Sequence, residues 1–413
     1  MKVLATIVVP PHLSVSGATR AAERLSAELA RYCDIDIASM QRSSMQETMP
    51  VMAGMDVSRV PVRVSNPLGL TEGILPNRFR TLFYLSDMPR LIRHSDYDLV
   101  HIHNPMPAVE MMRVAQACVS SGIPYVVSTH GFIEVSQGVA LHRLGPLQRL
   151  AWSMLVSCPL RAVMRNASAV AALSPVDIPA VRSFGFAGDD IALVPNGVDL
   201  PSDDMTGDGP ALARFNIVPR AADSPICAFF LANHTPNKGL GVLLEAFSTL
   251  RRPYLLVVGG ERRDYVDYDR YERMGDADHR ILFTGRLSEA EVAALHRRSD
   301  LFVFPTLADT FPLTVLEAMA HGRPVVASRV GGIPYQIDAE CGRLVEPGDV
   351  ESLIAAIETL AGDRDRLWAM GLAARRRASE SFNWRSSAAT AADLYRRLLS
   401  RPVGAATPAP ARS

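Results

Sequence analysis

Between Asp309 and Gly332 the chain reads DTFPLTVLEAMAHGRPVVASRVGG, and this stretch places two carboxylates, Asp309 and Glu317, eight residues apart. The pattern predicts a short helix: Thr310 or Phe311 stands where a cap belongs, Pro312 suits the first helical position and Gly322 the stop. On such a helix Thr314, Glu317 and His321 fall at i, i+3 and i+7, one polar stripe on an otherwise apolar rod. The stripe either faces water or turns Glu317 into a cleft, where a carboxylate between Leu316 and Ala318 needs hydroxyl partners such as those of a sugar or ribose. The first turn adds a second capacity, because the amides of Leu313, Thr314 and Val315, with the helix dipole behind them, can hold a phosphate without a metal. Two acids beside an anion-binding helix end describe a site for a sugar joined to a pyrophosphate.

The elements that position this site are readable around it. The apolar run Asp300–Pro305 precedes it as a strand, so the helix starts just past a strand's carboxyl end, where open α/β sheets bind ligands. Strands are expected at Ile226–Leu231, Tyr254–Val258, Arg280–Thr284, Leu301–Phe304, Pro324–Ser328 and Arg343–Val345. Helices are expected at Gly239–Leu250, Glu289–Arg298, Leu313–His321 and Val350–Leu360. Ser288 and Glu291 have the spacing of a capping box. The first half shows the same alternation: strands at Val3–Val9, Ile35–Ser39, Leu99–His103, Tyr125–Thr129, Ala169–Leu173 and Ile191–Val194, with a Pro/Ser/Gly loop through Gly17 leading into a helix at Ala18–Tyr32. Each half implies a parallel sheet covered by helices on both faces.

At 413 residues, two domains of roughly 200 residues each are expected. The 43 basic and 43 acidic residues cancel, which gives no case for nucleic-acid binding. Five scattered cysteines offer neither a zinc site nor a disulfide framework and suit a reducing compartment. MKVLATIVVPP reads as a first strand, not a signal peptide, and no apolar run reaches the roughly 18 residues of a membrane span. His101 and His103 alternate on one strand face without a third ligand at useful spacing, and read as polar residues at a strand end. His130 ends a strand before Gly131 and so stands on a ligand-binding rim. From Val135 to Val176 there is no acid, but Arg143, Arg149, Arg161 and Arg165 occur among apolar residues. Such a basic amphipathic stretch can lie on an anionic membrane or receive a phosphate-bearing acceptor, or it can be a packed helix whose arginines snorkel.

The stretch EAMAHGRPVVASRVGG, preceded by the acid pair Asp309 and Glu317, resembles the donor site of family-4 retaining glycosyltransferases, whose pattern has two glutamates separated by seven residues. LANHTPNKGLGVLLEAF resembles that family's phosphate loop, with Lys238 and Gly239 opening a helix. The resemblance implies a GT-B fold: an N-terminal acceptor-side domain over residues 1–205, a donor domain over 206–382, the two facing across a cleft, and a last helix, 383–400, crossing back. Residues 401–413, with three prolines and small residues, read as a disordered tail. It further implies transfer of a sugar from a nucleotide diphosphate sugar, a substrate and not a cofactor, to a glycan or lipid-linked acceptor. Retention and metal independence are implied with it. In this scheme Lys238 faces the diphosphate, Glu317 the ribose, Asp309 the transferred sugar and His130 that sugar from the other domain. Gly17, Asn233, Arg286, Leu313, Thr314 and Val315 complete the donor site.

Three positions depart from the family pattern. Asn233 stands for an arginine, Pro312 for a glycine and Tyr335 for an acid. A cytoplasmic location, peripheral to the inner membrane face through residues 141–165, follows from the same reading. The alternatives are a nucleotide-sugar binding protein without catalysis and a GT-B epimerase or phosphorylase.

Overall fold

The computed structural model describes residues 1–7, 17–41, 57–65, 81–104, 106–141, 144–202, 204–221, 224–276 and 278–401. They form two compact units, Met1–Asn196 with Trp384–Ser413, and Gly197–Asn383. The tail expected at 401–413 lies, apart from Arg401, outside the described residues.

The first unit is built on an eight-stranded sheet. Its strands are β1 (Lys2–Ile7), β2 (Asp34–Gln41), β3 (Ser58–Ser65), β4 (Leu85–Ser86), β5 (Leu99–Ile102), β6 (Tyr125–Ser128), β7 (Ala169–Ala172) and β8 (Ile191–Leu193). They lie in the order β4-β3-β2-β1-β5-β6-β7-β8, and only β4 runs antiparallel to its neighbour. β5, β6 and β7 are buried along their whole length, as strands covered on both faces must be. Two strands, β3 and β4, were not expected. SRVPVRVS alternates correctly for a strand but contains Pro61, which weakens a strand assignment. The last helix, Trp384–Leu399, returns to this unit and packs on the helix Gly17–Leu29.

The second unit holds β9 (Ile226–Leu231), β10 (Tyr254–Gly259), β11 (His279–Gly285), β12 (Leu301–Phe304), β13 (Val325–Ser328) and β14 (Gly342–Val345). All pairings are parallel, in the order β11-β10-β9-β12-β13-β14. The chain starts in the middle at β9, winds outward to β11, then crosses back to β12 and winds the other way. The order therefore reverses between β9 and β12, and the loops leaving these two strands diverge to opposite faces, opening a crevice. The helices flanking this crevice are Leu240–Thr249 and Leu313–Ala320. An 18-residue helix, Arg364–Ser381, had not been singled out from the sequence.

Candidate functional site

The crevice between β9 and β12 is built from three loops, those leaving β9, β12 and β13, tied to one another largely through backbone. After β9 the chain makes a short 3-10 turn at Pro236–Lys238, then caps the next helix with Gly239 at φ 72°. A β-carbon on Gly239 would lie 1.8 Å from the carbonyl oxygen of Pro305, so only glycine lets the two loops approach this closely. Asn237 stitches them together. Its carbonyl accepts from the amide of Leu307 at 2.7 Å, the amide of Ala308 at 3.2 Å and the Thr306 hydroxyl at 2.8 Å, and its side-chain amide donates to the Ala308 carbonyl at 3.2 Å. From the other side, the turn after β13 closes on the same segment. Gly331, at φ 51°, passes so near that a β-carbon would sit 1.9 Å from the Asp309 carbonyl, and the Gly332 amide donates to the Thr310 carbonyl at 2.7 Å.

This clamping fixes the acid. Lys238 Nζ meets Asp309 Oδ2 at 2.6 Å, with both side chains largely withdrawn from water. The two loops that carry this pair are tied to each other through Asn237, which fixes the separation of its charges. Beyond Asp309 the helix begins at Leu313, the start of the expected span, and Pro312 precedes it instead of opening it. Pro312 is the cap, with φ −66° and ψ 126°, and Leu313 is the first helical residue. The correction matters for the chemistry. The donor that proline lacks belongs to the cap, and the amides of Leu313, Thr314 and Val315 are still the three that lead the helix, with no side chain capping them. The Pro312 carbonyl is tied down by Gln336 Nε2 at 3.0 Å.

Glu317 lies one turn further on, about 6 Å along the axis at 1.5 Å per residue. It is half-buried, as are Leu313 and Thr314, while Val315, Leu316, Ala318 and Met319 are core. The polar stripe does not extend to His321. That residue is the C-cap, has left helical geometry, and stacks on His296 with ring centroids 4.9 Å apart and planes 14° apart. Burial, with Arg297 and Arg323 nearby, pulls its pKa down to about 4, so at neutral pH it is an uncharged packing residue.

The departures from the family pattern have local explanations. Tyr335 packs its ring against Phe311 and Phe382, at 6.5 and 5.9 Å between centroids, and completes an aromatic wall behind the 309–311 loop. Asn233 is exposed at the end of β9. The arginines that could replace its missing charge have partners of their own. Arg286, which follows Gly285 at the end of β11, pairs with Glu261 at 3.1 Å, and Arg329 pairs with Glu346 at 3.4 Å. The capping box forms at Ser288 and Glu291, whose carboxylate also takes Arg214.

In the first unit His130 follows β6 and is buried, 4% exposed, with burial lowering its pKa to about 4. It is not alone. His103 lies 6.3 Å away, and the His101 ring, tilted 33° to that of His103, has its centroid 3.8 Å from it; both are buried and both are kept neutral by burial. Tyr395, from the returning helix, is held protonated by burial, and its hydroxyl shares a hydrogen bond with His101 Nδ1 at 2.6 Å. The other ring nitrogen of His101, Nε2, reaches Ser128 Oγ at 2.7 Å, so both nitrogens have hydroxyl partners. Sequence reasoning found the histidines and missed Tyr395, since no local signal links a tyrosine to a strand 294 residues earlier. Gly17 is the exposed first residue of its helix, and the loop before it lies outside the described residues.

Comparison with known proteins adds to this geometry. Residues 15–201 match the model of Glycosyltransferase Family 4, and residues 225–363 that of Glycosyl transferases group 1. An MMP alpha-(1->4)-mannosyltransferase of Mycolicibacterium hassiacum is 30% identical over 320 residues, covering 75% of this chain and 72% of the relative. A D-inositol 3-phosphate glycosyltransferase of Streptomyces coelicolor is 29% identical, covering 73% of this chain and 69% of its own. In structure, Anabaena HepE, solved with UDP and glucose, superposes with a TM-score of 0.73 at 17% identity over 96% of this chain and 100% of its own. WaaG, a glycosyltransferase of lipopolysaccharide biosynthesis, gives 0.69 at 18% over 95% and 99%. At these identities the structural likeness speaks for the GT-B fold.

Proposed function

This chain belongs to glycosyltransferase family 4, and from that premise we propose that it transfers a sugar from a nucleoside diphosphate sugar to a hydroxyl of a glycan or lipid-linked acceptor, with retention and without a metal. The observation that carries the reading is the 2.6 Å approach of Lys238 to Asp309 at the head of the helix Leu313–Ala320, in the crevice between β9 and β12. Relatives named as using GDP-mannose, and a structural neighbour solved with UDP-glucose, support a nucleotide-sugar donor.

The proposed chemistry follows from charge. As the bond between the anomeric carbon and the diphosphate oxygen breaks, negative charge grows on the leaving phosphate. The Lys238 ammonium and the amides of Leu313, Thr314 and Val315 stabilise that charge in place, the task a bound metal performs elsewhere. Asp309 holds hydroxyls of the transferred sugar, Glu317 the ribose hydroxyls, and His130, neutral, exchanges hydrogen bonds with the same sugar. Gly17, Asn233 and Arg286 complete the donor contacts. The acceptor oxygen attacks from the face the diphosphate is leaving, and its proton passes to the departing phosphate oxygen. The anomeric carbon thus keeps its configuration. The same reading places the enzyme in the cytoplasm, against the inner face of a membrane through residues 141–165.

A panel of UDP-, GDP- and ADP-sugars with acceptor extracts, read by mass spectrometry and by the anomeric proton coupling of the product, tests the whole reading. Transfer that survives excess chelator and yields the donor's anomeric configuration is expected. Donor binding without turnover would make the chain a binding protein, and phosphate-dependent release of a sugar phosphate would make it a phosphorylase.

A further inference from the structure

Gln336 is fully buried at the end of the short helix Ile333–Gln336, yet its side-chain oxygen has no hydrogen-bond partner among the described residues. A buried oxygen left unpaired costs stability, so an apolar side chain of the same length would serve the interior better. The other end of the amide is used. Its Nε2 donates to the Pro312 carbonyl at 3.0 Å, and the reverse orientation would set two oxygens against each other. That carbonyl belongs to the N-cap of the helix Leu313–Ala320, a cap that makes no side-chain hydrogen bond of its own. The Pro312 carbonyl and the Leu313 N–H share one planar trans peptide and point in opposite directions. A donor on the oxygen therefore fixes the direction of the N–H, and by drawing charge towards the oxygen it makes that N–H a stronger donor.

We infer that Gln336 is a positioning residue of the donor site, which holds the peptide between Pro312 and Leu313 so that the Leu313 amide is aimed at the leaving phosphate and strengthened for it. Gln336 is itself held from behind. Arg377, on the long helix Arg364–Ser381, donates from Nε to the Gln336 carbonyl at 2.8 Å and from Nη2 to the Tyr335 carbonyl at 2.9 Å, while its Nη1 pairs with Asp338 at 3.0 Å. The Gln336 amide donates to the Gly332 carbonyl at 3.0 Å, and the Gly332 amide is the one that ties down Thr310. A continuous set of contacts thus runs from Arg377 to the first amide of the anion-binding turn. The inference rests on the leaving-group site of the proposed function and adds the residue that sets its first donor.

The test uses Gln336→Met, which keeps the length of the side chain and removes both polar atoms of the amide, with Gln336→Leu as a second variant. Inorganic pyrophosphate, standing in for the leaving group, is titrated into the isotope-labelled full chain and read at the amides of Leu313, Thr314 and Val315. Transfer kinetics and denaturant midpoints are measured alongside. Both variants should unfold at or above the midpoint of the unaltered chain, bind pyrophosphate about tenfold more weakly, the worth of one hydrogen bond, and lose about tenfold in kcat with the acceptor KM unchanged. A purely structural role would instead lower the midpoint and leave the pyrophosphate affinity alone. Affinity within about twofold of the unaltered chain in both variants, or no response of the three amides to pyrophosphate in the unaltered chain, overturns the inference. Weakened pyrophosphate binding in a chain that transfers no sugar refutes the catalytic reading and leaves the positioning intact. Sugar transfer at the same rate by the unaltered chain and by both variants refutes the positioning alone.

Discussion

The two units carry opposite chemistry at the carboxyl ends of their strands. In the second, the loops leaving β9 and β12 hold charge: an ammonium and a carboxylate in contact, beside the positive end of a helix. In the first, the strand ends of β5 and β6 hold His101, His103 and His130, all buried and all neutral. The charged site is locked by backbone hydrogen bonds and by glycines that admit no side chain. In the neutral one, His101 is held by side chains, Tyr395 and Ser128. A diphosphate needs fixed positive potential, which only a rigid charged frame supplies at no cost of reorganisation.

The contrast can be broken most sharply at its charged end. Lys238→Ala should lower kcat by about two to three orders of magnitude, the loss seen when one preorganised stabilising group is removed, with a smaller change in KM. A kcat within a few-fold of the unaltered enzyme would place the leaving group elsewhere. Next comes rigidity. Gly239→Ala must push apart two backbones that leave 1.8 Å for the new carbon, at positive φ, and should destabilise the second unit by roughly 3 kcal/mol in denaturant titrations. The first unit's transition should stay where it is.

The neutral end is tested by pH. His130 is pulled down to about 4 by burial, against about 6.5 in the unfolded chain. Folding then keeps it unprotonated where the unfolded chain would take up a proton. Its contribution is fully present above pH 6.5 and is lost as pH falls towards 4, at about 1.4 kcal/mol per pH unit. Imidazole resonances of His130 should accordingly show no titration between pH 8 and 5, and a midpoint near 6.5 would place it in water. The smallest effect is expected from Tyr395→Phe. Removing one buried hydroxyl leaves His101 Nδ1 without its hydrogen-bond partner and should cost about 1–2 kcal/mol in the first unit, measured by denaturant titration.

Much of the second unit was legible because its strands are continuous apolar runs bounded by turn residues. ICAFFL and LFVF read as buried strands, and Ser288 with Glu291 read as a cap. What misled was local. Pro312 looked like a first helical residue but serves as the cap, since its ψ of 126° is extended. His321 continued a periodic stripe on paper but turned inward at the helix end to stack on His296. The acid-free stretch from Val135 to Val176 read either as an amphipathic surface segment or as a packed helix, and the structure leaves Leu147, Leu150 and Met154 exposed while Leu160 and Val163 are buried.

The sequence alone determined the alternation of strand and helix, the place of the short helix after β12, and the residue types available there, because these depend on neighbours a few positions apart. Only the tertiary structure decided that Lys238 meets Asp309 across 71 residues, that Asn237 and Gly331 clamp the same loop from two sides, and that Tyr395 reaches His101. Those contacts depend on which strands become neighbours in the sheet, a matter of global packing that no periodicity along the chain encodes.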